Sequence, residues 1–429
     1  MRLEMESIKI TDIQEADKTY VENGVLYINK KALEEEILKD EKIKSVEINI
    51  AKPGQNVRIL NVQDVQEPRC KVGVEDCDYP GAVGKFVIAG EGKTRRLDGA
   101  IIVVSNPTTR RVEIGLLDMN GESAQITPYS HMNVISLTYY PSEEAEERPF
   151  EENIKRASLR AGVFLAKAAE GAPVDNVEVF ESSPLDEKAQ GLPRIGLVLQ
   201  AYTPQFDYLA VPDKIIYGTS ISGMLPTVMH PNEILDGGLV GWNAMKAIDT
   251  YSFQNHAMVK EMLSRHGKEL NFVGVIVVTA NTAHEPRMRC ASMTAGVAAH
   301  VLCLDGAVVE KILGGMPHID ISAMGVALER AGVKTATFTT PLTSAGTLGD
   351  TILYNDKELD LIINAGNPFE KTTFKFKADT FYGGTAETKI YSSEQVPQFA
   401  GDEQIRVEQY LIAGCQDHCG SRKVITKEF

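Results

Sequence analysis

Buried strand patterns that alternate with helix patterns over residues 194–371 constrain the fold of this chain more than any other feature. The segments RIGLVLQAYT and NFVGVIVVTA are continuous apolar runs, typical of strands that are buried on both faces of a parallel sheet, and ELDLIINAG is a further predicted strand. Helix patterns such as EPRMRCASMTAGVAAHVLC and IDISAMGVALERAG separate the later runs. This alternation predicts βαβ units and a Rossmann-like parallel sheet, with ligands bound beyond the carboxyl ends of its strands. His256, His284 and His318 are predicted to lie on loops at that edge.

The rest of the chain has β patterns of a different kind. Over residues 1–140, segments such as SVEINIAKPGQNVRIL and KFVIAG are rich in β-branched residues and bounded by Gly, Pro and Asn, which predicts a β-rich N-terminal domain. The acidic segment PSEEAEERPFEE is the predicted boundary before an α/β region over 153–371. Alternation in FKF and FYGGTAETKIYSS predicts a β-rich tail over 372–429. The predicted fold class is therefore α/β.

Composition and charge exclude several classes of protein. Hydrophobic residues make up 43% of the chain and charged residues 24%, which is ordinary for a soluble globular protein. A net charge of −15 argues against a nucleic-acid binder. No apolar run has the length of a membrane helix, and the charged N-terminal segment lacks the apolar core of a secretory signal. Six cysteines are too few for a disulfide framework, so a cytoplasmic location is predicted.

Generic motifs leave the function open. Cys415, His418 and Cys419 in CQDHCG have the residue types of a metal site or a redox pair, but structural zinc needs four ligands and no second cluster has suitable spacing. Incidental thiols are the favoured interpretation, and no metal is expected. The glycine-rich PGAVGKFVIAGEGKTRRL lacks the ending of a phosphate-binding loop. By such motifs alone the chain is an α/β protein of unspecified function.

Several segments match one known family: MRLEMESIKITDI, KTYVENGVLYINKKAL, SVEINIAKPGQNVRI, DVQEPRCKV, HGKELNFVGVIVV and DGGLVGWN with the following TYSFQN. In them the chain resembles the alpha/beta proprotein subunit of component B of the glycine, sarcosine and betaine reductases, to which the D-proline reductase proprotein is related. The resemblance covers most of residues 1–280 and continues more weakly to about residue 370.

The resemblance implies a specific chemistry. In that family the precursor cleaves itself at an Asn-Cys bond, and the cysteine becomes an N-terminal pyruvoyl group. That ketone forms a Schiff base with a substrate amine, and a selenocysteine on a separate component B subunit attacks the α-carbon, which is covalent catalysis by a carbonyl electrophile. Components A and C complete this oxidoreductase reaction. The resemblance therefore implies a hetero-oligomer that acts on glycine, sarcosine or betaine.

The junction itself departs from the family pattern. In DGGLVGWNA, Asn243 matches the family's Asn, but Ala244 occupies the position of its Cys. Alanine has neither a nucleophile nor a β-leaving group, so the chain is predicted to stay uncleaved, without a pyruvoyl group and without reductase activity of its own. Three explanations are open: a Cys changed to Ala to trap the precursor, a natural paralogue that never matures, or processing elsewhere. The nearest thiols, Cys77 and Cys290, are unconvincing replacements.

The residues after the junction are the remaining candidates. Thr250, Tyr251, Gln254 and Asn255 match the family's downstream motif and are predicted to line a substrate pocket, although TYSFQNH fits neither a regular strand nor a clean helix. Without the resemblance, the loop would be a strand-to-helix connection in which Trp242 fills a gap in the core. The alternative function is a non-catalytic paralogue that serves as a scaffold or a small-molecule binding protein.

Overall fold

A computed structural model describes residues 1–108, 115–143, 147–201, 215–241, 249–281, 283–310, 316–339, 356–364, 370–390 and 398–415. The predicted α/β class is confirmed, with mixed sheets in the N-terminal part and a mainly parallel sheet after it. In the described part of the chain, no helix has both the length and the apolar character needed to span a membrane.

The N-terminal part consists of β-sheets. Its strands are β1 (Arg2–Lys9), β2 (Asp12–Glu15), β3 (Tyr20–Glu22), β4 (Val25–Ile28), β5 (Ile43–Ala51), β6 (Val57–Gln66), β7 (Arg69–Val72), β8 (Gly92–Asp98), β9 (Ala100–Ser105), β10 (Gly115–Asp118) and β11 (Asn133–Pro141). One sheet has the order β10-β6-β9-β11-β5, and a small sheet has the order β2-β4-β3. A further sheet contains β1, β8 and β7, and it is completed by β12 (Asn176–Glu181), which pairs antiparallel with β1.

Two helices cover these sheets. Helix α1 (Lys30–Ile37) begins where the Asn29 side chain accepts a hydrogen bond from the backbone N–H of Ala32, an N-cap that satisfies a free amide of the first turn. Helix α2 (Glu147–Lys167) buries the apolar stripe that its sequence predicts, including Ile154, Ala157 and Leu165. These side chains share one core cluster with strand residues of the N-terminal sheets. The predicted division of the chain into domains stays a prediction.

The second half contains a mainly parallel sheet. Its strands are β13 (Arg194–Ala201), β14 (Thr227–Met229), β15 (Asn271–Thr279), β16 (Gly306–Glu310), β17 (Lys334–Thr339) and β18 (Leu361–Asn364), in the order β14-β15-β13-β16-β17-β18. Only β14, at one edge, runs antiparallel to its neighbour among these described strands. The helices of this half are α3 (Pro231–Leu235), α4 (Thr250–Gln254), α5 (Ala257–Arg265), α6 (His284–Gly296) and α7 (Met316–Arg330).

Helices cover both faces of this sheet, which is why its strands are continuous apolar runs. Leu197 and Leu199 of β13 pack in one cluster with Val259 of α5. Val198, which points to the other face, packs in a second cluster with residues of α6 and α7. After β13 the chain forms β15 on one side and then β16 on the other, so the order of connection reverses at β13 and β16.

The described part of the tail contains short strands, and it joins the N-terminal sheet. Its strands are β19 (Lys371–Lys375), β20 (Thr380–Tyr382), β21 (Lys389–Ile390), β22 (Gln398–Phe399) and β23 (Gln404–Glu408). Strand β20 pairs parallel with β6, and β19 pairs antiparallel with β23. Buried Arg58 forms an ion pair with Asp118 at 2.6 Å and donates to the carbonyl of Ala400 at 2.7 Å. These contacts anchor the tail to the N-terminal part.

Candidate functional site

The structure describes the residues on either side of the predicted cleavage junction. Asn243 and Ala244 lie outside the described residues, as do His418 and Cys419. The described chain ends at Gly241 and begins again at Asp249.

One buried carboxylate brings the two flanks together. The backbone N–H of Gly241 donates to Thr250 Oγ1 at 3.1 Å. The backbone N–H of Thr250 donates to Asp64 Oδ1, and its hydroxyl donates to Asp64 Oδ2, each at 2.8 Å. Asp64 is 1% exposed and Thr250 is fully buried. Gly241 and Thr250 are thus tied to β6 of the N-terminal sheet.

Lys155 of α2 completes this group. Its ammonium forms an ion pair with Asp64 Oδ2 and donates to Thr250 Oγ1 at 3.2 Å. Burial lowers the pKa of Lys155, and the Asp64 carboxylate acts in the opposite direction by stabilising the charged form. We call Asp64, Lys155 and Thr250 the junction triad. Sequence reasoning missed Asp64 and Lys155, although a carboxylate within the otherwise buried run of β6 was an available signal.

A second buried carboxylate lies at the start of α4. Asp249 Oδ1 accepts from the backbone N–H of Ser252 at 2.8 Å, which caps the helix, and Tyr129 donates its hydroxyl to Asp249 Oδ2 at 2.7 Å. Burial, and then the neighbouring Asp64 carboxylate, raise the pKa of Asp249 to about 7. Tyr251 packs edge-on against Tyr129, with 5.2 Å between ring centroids. The first described residue after residues 242–248 therefore carries a carboxyl group that can hold a proton near neutral pH.

The segment TYSFQ forms the short helix α4, which corrects the expectation that this stretch is neither helix nor strand. A helix of this length has little stability of its own. Its cap at Asp249 and the side chain of Gln254 hold it in place. Gln254 Oε1 accepts from the backbone N–H of Glu67 at 2.9 Å, and its Nε2 donates to Tyr79 Oη at 2.6 Å. Tertiary contacts thus impose the helix.

Three cationic side chains converge on the amide oxygen of Asn255. Arg69, Arg96 and Lys260 donate to Asn255 Oδ1 at 3.2, 3.0 and 3.3 Å. Burial, and then the charge of Arg96, lower the pKa of Lys260 to about 8. Glu67 pairs with Arg69 at 2.6 Å.

The four residues predicted to line a substrate pocket are therefore brought together along α4. Thr250 and Gln254 use their polar side-chain atoms for contacts with the N-terminal part, and Asn255 receives its donors through Oδ1. Their role in substrate binding stays a prediction.

The cysteines and histidines that the sequence suggested as ligands lie in separate parts of the structure. Among the described residues, no group of three His, Cys, Asp or Glu side chains could hold a metal ion. Cys415 is buried. Burial also raises the pKa of Cys70 to about 12, which disfavours the thiolate form of Cys70 that a metal would bind. His256 caps the N-terminus of α5, and His284 and His318 lie in the first turns of α6 and α7. The expectation that they lie on loops is therefore wrong for His284 and His318, which belong to helices.

Comparison with known proteins identifies the family. The sequence model of one protein family, the glycine/sarcosine/betaine reductase component B subunits, matches residues 1–427 of this chain. The chain is 32% identical to "Glycine reductase complex component B subunits alpha and beta" of Acetoanaerobium sticklandii over 100% of both chains. It is 34% identical to the protein of the same name from Peptoclostridium acidaminophilum over 98% of both. Identity to "Betaine reductase complex component B subunit alpha" of Peptoclostridium acidaminophilum is 32%, over 86% of this chain and 85% of that one.

No solved structure matches the chain. The chain belongs to the family of glycine/sarcosine/betaine reductase component B subunits.

Proposed function

We propose that this member of the component B family is an uncleaved, pyruvoyl-free subunit of an amino-acid reductase complex, and that it binds glycine, sarcosine or betaine for that complex. The observation that carries the proposal is the family match over residues 1–427, combined with alanine at position 244. The match places the chain among subunits of reductase complexes. The alanine removes the residue from which a pyruvoyl group would be made.

The residues present do not fit a pyruvoyl group. The methyl group of Ala244 carries no heteroatom, so it can neither attack the preceding carbonyl nor leave by elimination. Cys290, the nearest thiol downstream, lies inside α6 in the apolar core, and burial raises its pKa. It therefore lacks the thiolate character of a nucleophile. No catalytic step is assigned to a pyruvoyl group in this chain.

The junction triad supports a stable uncleaved chain. Asp64 compensates the charge of Lys155 and accepts hydrogen bonds from the backbone N–H and the hydroxyl of Thr250. These contacts do not depend on which residue stands at position 244. Gly241 and Thr250 remain hydrogen bonded at 3.1 Å. Cleavage is thus not required to complete this part of the fold.

Partner subunits are part of the proposal. The relatives are named as component B subunits of glycine and betaine reductase complexes. We place this chain in a hetero-oligomer with a selenocysteine-containing component B subunit, which delivers electrons to the bound amine together with components A and C. The chain contributes substrate binding, and its partners contribute the reducing group. The expected location is the cytoplasm.

Intact-mass measurement under denaturing conditions tests the uncleaved state. The unmodified chain and Ala244→Val, which also lacks a heteroatom, are expected to retain their full mass. Ala244→Cys is expected to split after Asn243 into fragments of 243 and 186 residues, which together make up the 429 residues of the chain. Splitting of the unmodified chain would refute the pyruvoyl-free state.

The alternative function, a non-catalytic scaffold or binding protein, rests on the same alanine. An intact Ala244→Cys variant would favour it, because the machinery for maturation would then be absent as well as the cysteine. Turnover of the Ala244→Cys variant in a mixture with the partner subunits separates the two functions. With the cysteine restored, the proposed subunit supports reduction of one of the three amines, whereas a scaffold supports none.

A further inference from the structure

Two arginines lie opposite each other on neighbouring strands of the sheet that contains β1. Arg69 of β7 pairs with Arg96 of β8 in an antiparallel ladder, so both side chains project from the same face. Arg69 forms an ion pair with Glu67 at 2.6 Å and donates to two backbone carbonyls. Arg96 forms an ion pair with Glu178 of β12 at 2.7 Å. Carboxylates and backbone carbonyls thus hold two guanidinium groups side by side.

The side chain that joins them is Lys260 of α5. Its Nζ donates to Asn255 Oδ1 at 3.3 Å. The same oxygen accepts from Arg69 Nη2 at 3.2 Å and from Arg96 Nη1 at 3.0 Å. A carbonyl oxygen has two lone pairs, so three donors exceed its capacity, and Lys260 makes the longest of the three bonds. The shared acceptor therefore keeps a lysine amine beside two permanent positive charges.

This arrangement favours the neutral form of the Lys260 amine. Burial, and then the charge of Arg96, lower the pKa of Lys260 to about 8, and Arg69 acts in the same direction. Glu178 and Glu67 act in the opposite direction, but the Glu178 carboxylate lies 3.7 Å from Nζ, beyond hydrogen-bond distance. A lysine beside other cations is an activated nucleophile, because its neutral amine has a free lone pair. Lys260 is therefore suited to attack a carbonyl carbon.

Exposure and charge distinguish Lys260 from Lys155, a second lysine whose pKa is lowered by burial. The Lys260 side chain is 25% exposed, so it is open to solvent. The Lys155 side chain is 11% exposed, and its ammonium forms a close ion pair with Asp64, which stabilises the protonated form. In the described part of the chain, no carboxylate lies within hydrogen-bond distance of Lys260 Nζ. Lys260 therefore combines an accessible position with a weakly held proton.

Arg96 supplies a place for a carboxylate beside this amine. A guanidinium group has five N–H donors. Within the described residues, the Nε of Arg96 donates to Ser7, its Nη1 to Asn255 and its Nη2 to Glu178. These three bonds leave one N–H on each Nη for a further acceptor, and carboxylates match the planar guanidinium group. A small molecule that presents a carbonyl carbon to the amine and a carboxylate to the guanidinium is a 2-oxo acid.

We propose that Lys260 forms a Schiff base with a small 2-oxo acid whose carboxylate pairs with Arg96. The lone pair of Nζ attacks the carbonyl carbon, and the carbonyl oxygen leaves as water when a C=N bond replaces the C=O bond. One proton of that water comes from Nζ and the other from solvent, so the imine is a cation and no oxidant or reductant is consumed. Glu178, at 3.7 Å from Nζ, is the carboxylate that relays the proton from the nitrogen, through one water. This site goes beyond the proposed function and does not depend on it.

Reductive trapping on the full chain tests the proposal. The protein is incubated with pyruvate near neutral pH, and sodium cyanoborohydride reduces any imine to a stable amine that adds the mass of the acid less one oxygen atom. Peptide mapping by mass spectrometry is expected to find this adduct on Lys260 at about tenfold or more above its level on Lys334, because an amine of lower pKa has a larger neutral fraction. Lys334 is a stringent reference, since its side chain is 71% exposed. An adduct on Lys260 that is absent, or no more abundant than on Lys334, would overturn the proposal.

Matched variants test the amine and the guanidinium separately. Lys260→Arg keeps the positive charge but cannot condense with a ketone, and it is expected to lose the preferred adduct. Lys334→Arg is the control and should leave the labelling of Lys260 unchanged. Circular dichroism and melting verify the fold of each variant, and peptide mapping of the unmodified chain decides the question if a variant does not fold.

Acetone separates the two halves of the site, because it has the carbonyl group of pyruvate but no carboxylate. Arg96→Met is expected to lower the trapping of pyruvate about tenfold or more relative to that of acetone, as loss of a charge-assisted hydrogen bond does. The ratio cancels any change in the reactivity of the amine itself. Equal losses for both compounds would overturn the carboxylate pairing. The intact-mass test of the uncleaved state is a separate measurement, so failure here leaves the proposed function standing.

Discussion

Replacing Lys155 by methionine tests whether the junction triad holds the flanks of residues 242–248. Lys155 is buried, and it donates to Asp64 Oδ2 and to Thr250 Oγ1. Methionine keeps an unbranched apolar side chain in the same space but removes the ammonium group. Asp64 is then left as a buried carboxylate that still accepts from Thr250 but has lost its compensating charge.

The expected magnitude follows from that uncompensated charge. Removal of one partner of a buried ion pair costs about 3–5 kcal/mol. The Asp64→Asn/Lys155→Met double variant removes both charges, so we expect it to cost less than the sum of the two single changes. Such a coupling energy between contacting residues is of the order of 0.5–3 kcal/mol.

Hydrogen exchange of the peptide that carries the Thr250 amide is the assay, together with urea unfolding. Lys155→Met is expected to speed exchange in residues 249–256, and the double variant is expected to restore part of the protection. As a control, Arg330→Met removes the exposed pair with Glu358, in which the atoms lie 2.7 Å apart, and should leave this peptide unchanged. Additive effects of the two single changes would refute the role of the triad.

Two further predictions concern the pKa shifts near α4. Because burial and the neighbouring carboxylate raise the pKa of Asp249 to about 7, the folded state binds more protons than the unfolded state, and stability should fall as pH rises from about 4 to 7. Asp249→Asn should flatten that part of a melting-temperature profile, and an equal slope in the variant would contradict the assignment. The charge of Arg96 helps to lower the pKa of Lys260 to about 8, so Arg96→Met should raise it. Side-chain NMR titration of Lys260 measures the change, and a pKa that stays or falls would argue against it.

Local periodicity was sufficient to predict most elements of the second half. The continuous apolar runs of β13 and β15 reflect burial on both faces, and the stripe of α2 reflects burial on one. Such patterns depend only on which side of an element meets the core, and they can be recognised from neighbouring residues. The family resemblance added the position of the junction at Asn243 and Ala244.

Contacts between residues that are far apart in the sequence could not be predicted from local periodicity. Helix α4 is too short for its own sequence to specify it, and it forms because Asp249 caps it and Gln254 reaches Glu67. Asp64 and Lys155 are separated by 91 residues, so no spacing in the sequence relates them. The pairing of β20 with β6 likewise joins segments that are far apart in the sequence, so no local pattern predicts it.

The sequence by itself determined the α/β class, the alternation of elements and, through Ala244, the absence of the residue that a pyruvoyl group requires. The tertiary structure decided which polar groups meet. The packing of α2 against the N-terminal sheets brings Lys155 to Asp64 and Thr250. The physical reason is that apolar periodicity is a local property of the chain. The pairing of buried charges depends on the arrangement of whole elements, which no short segment encodes.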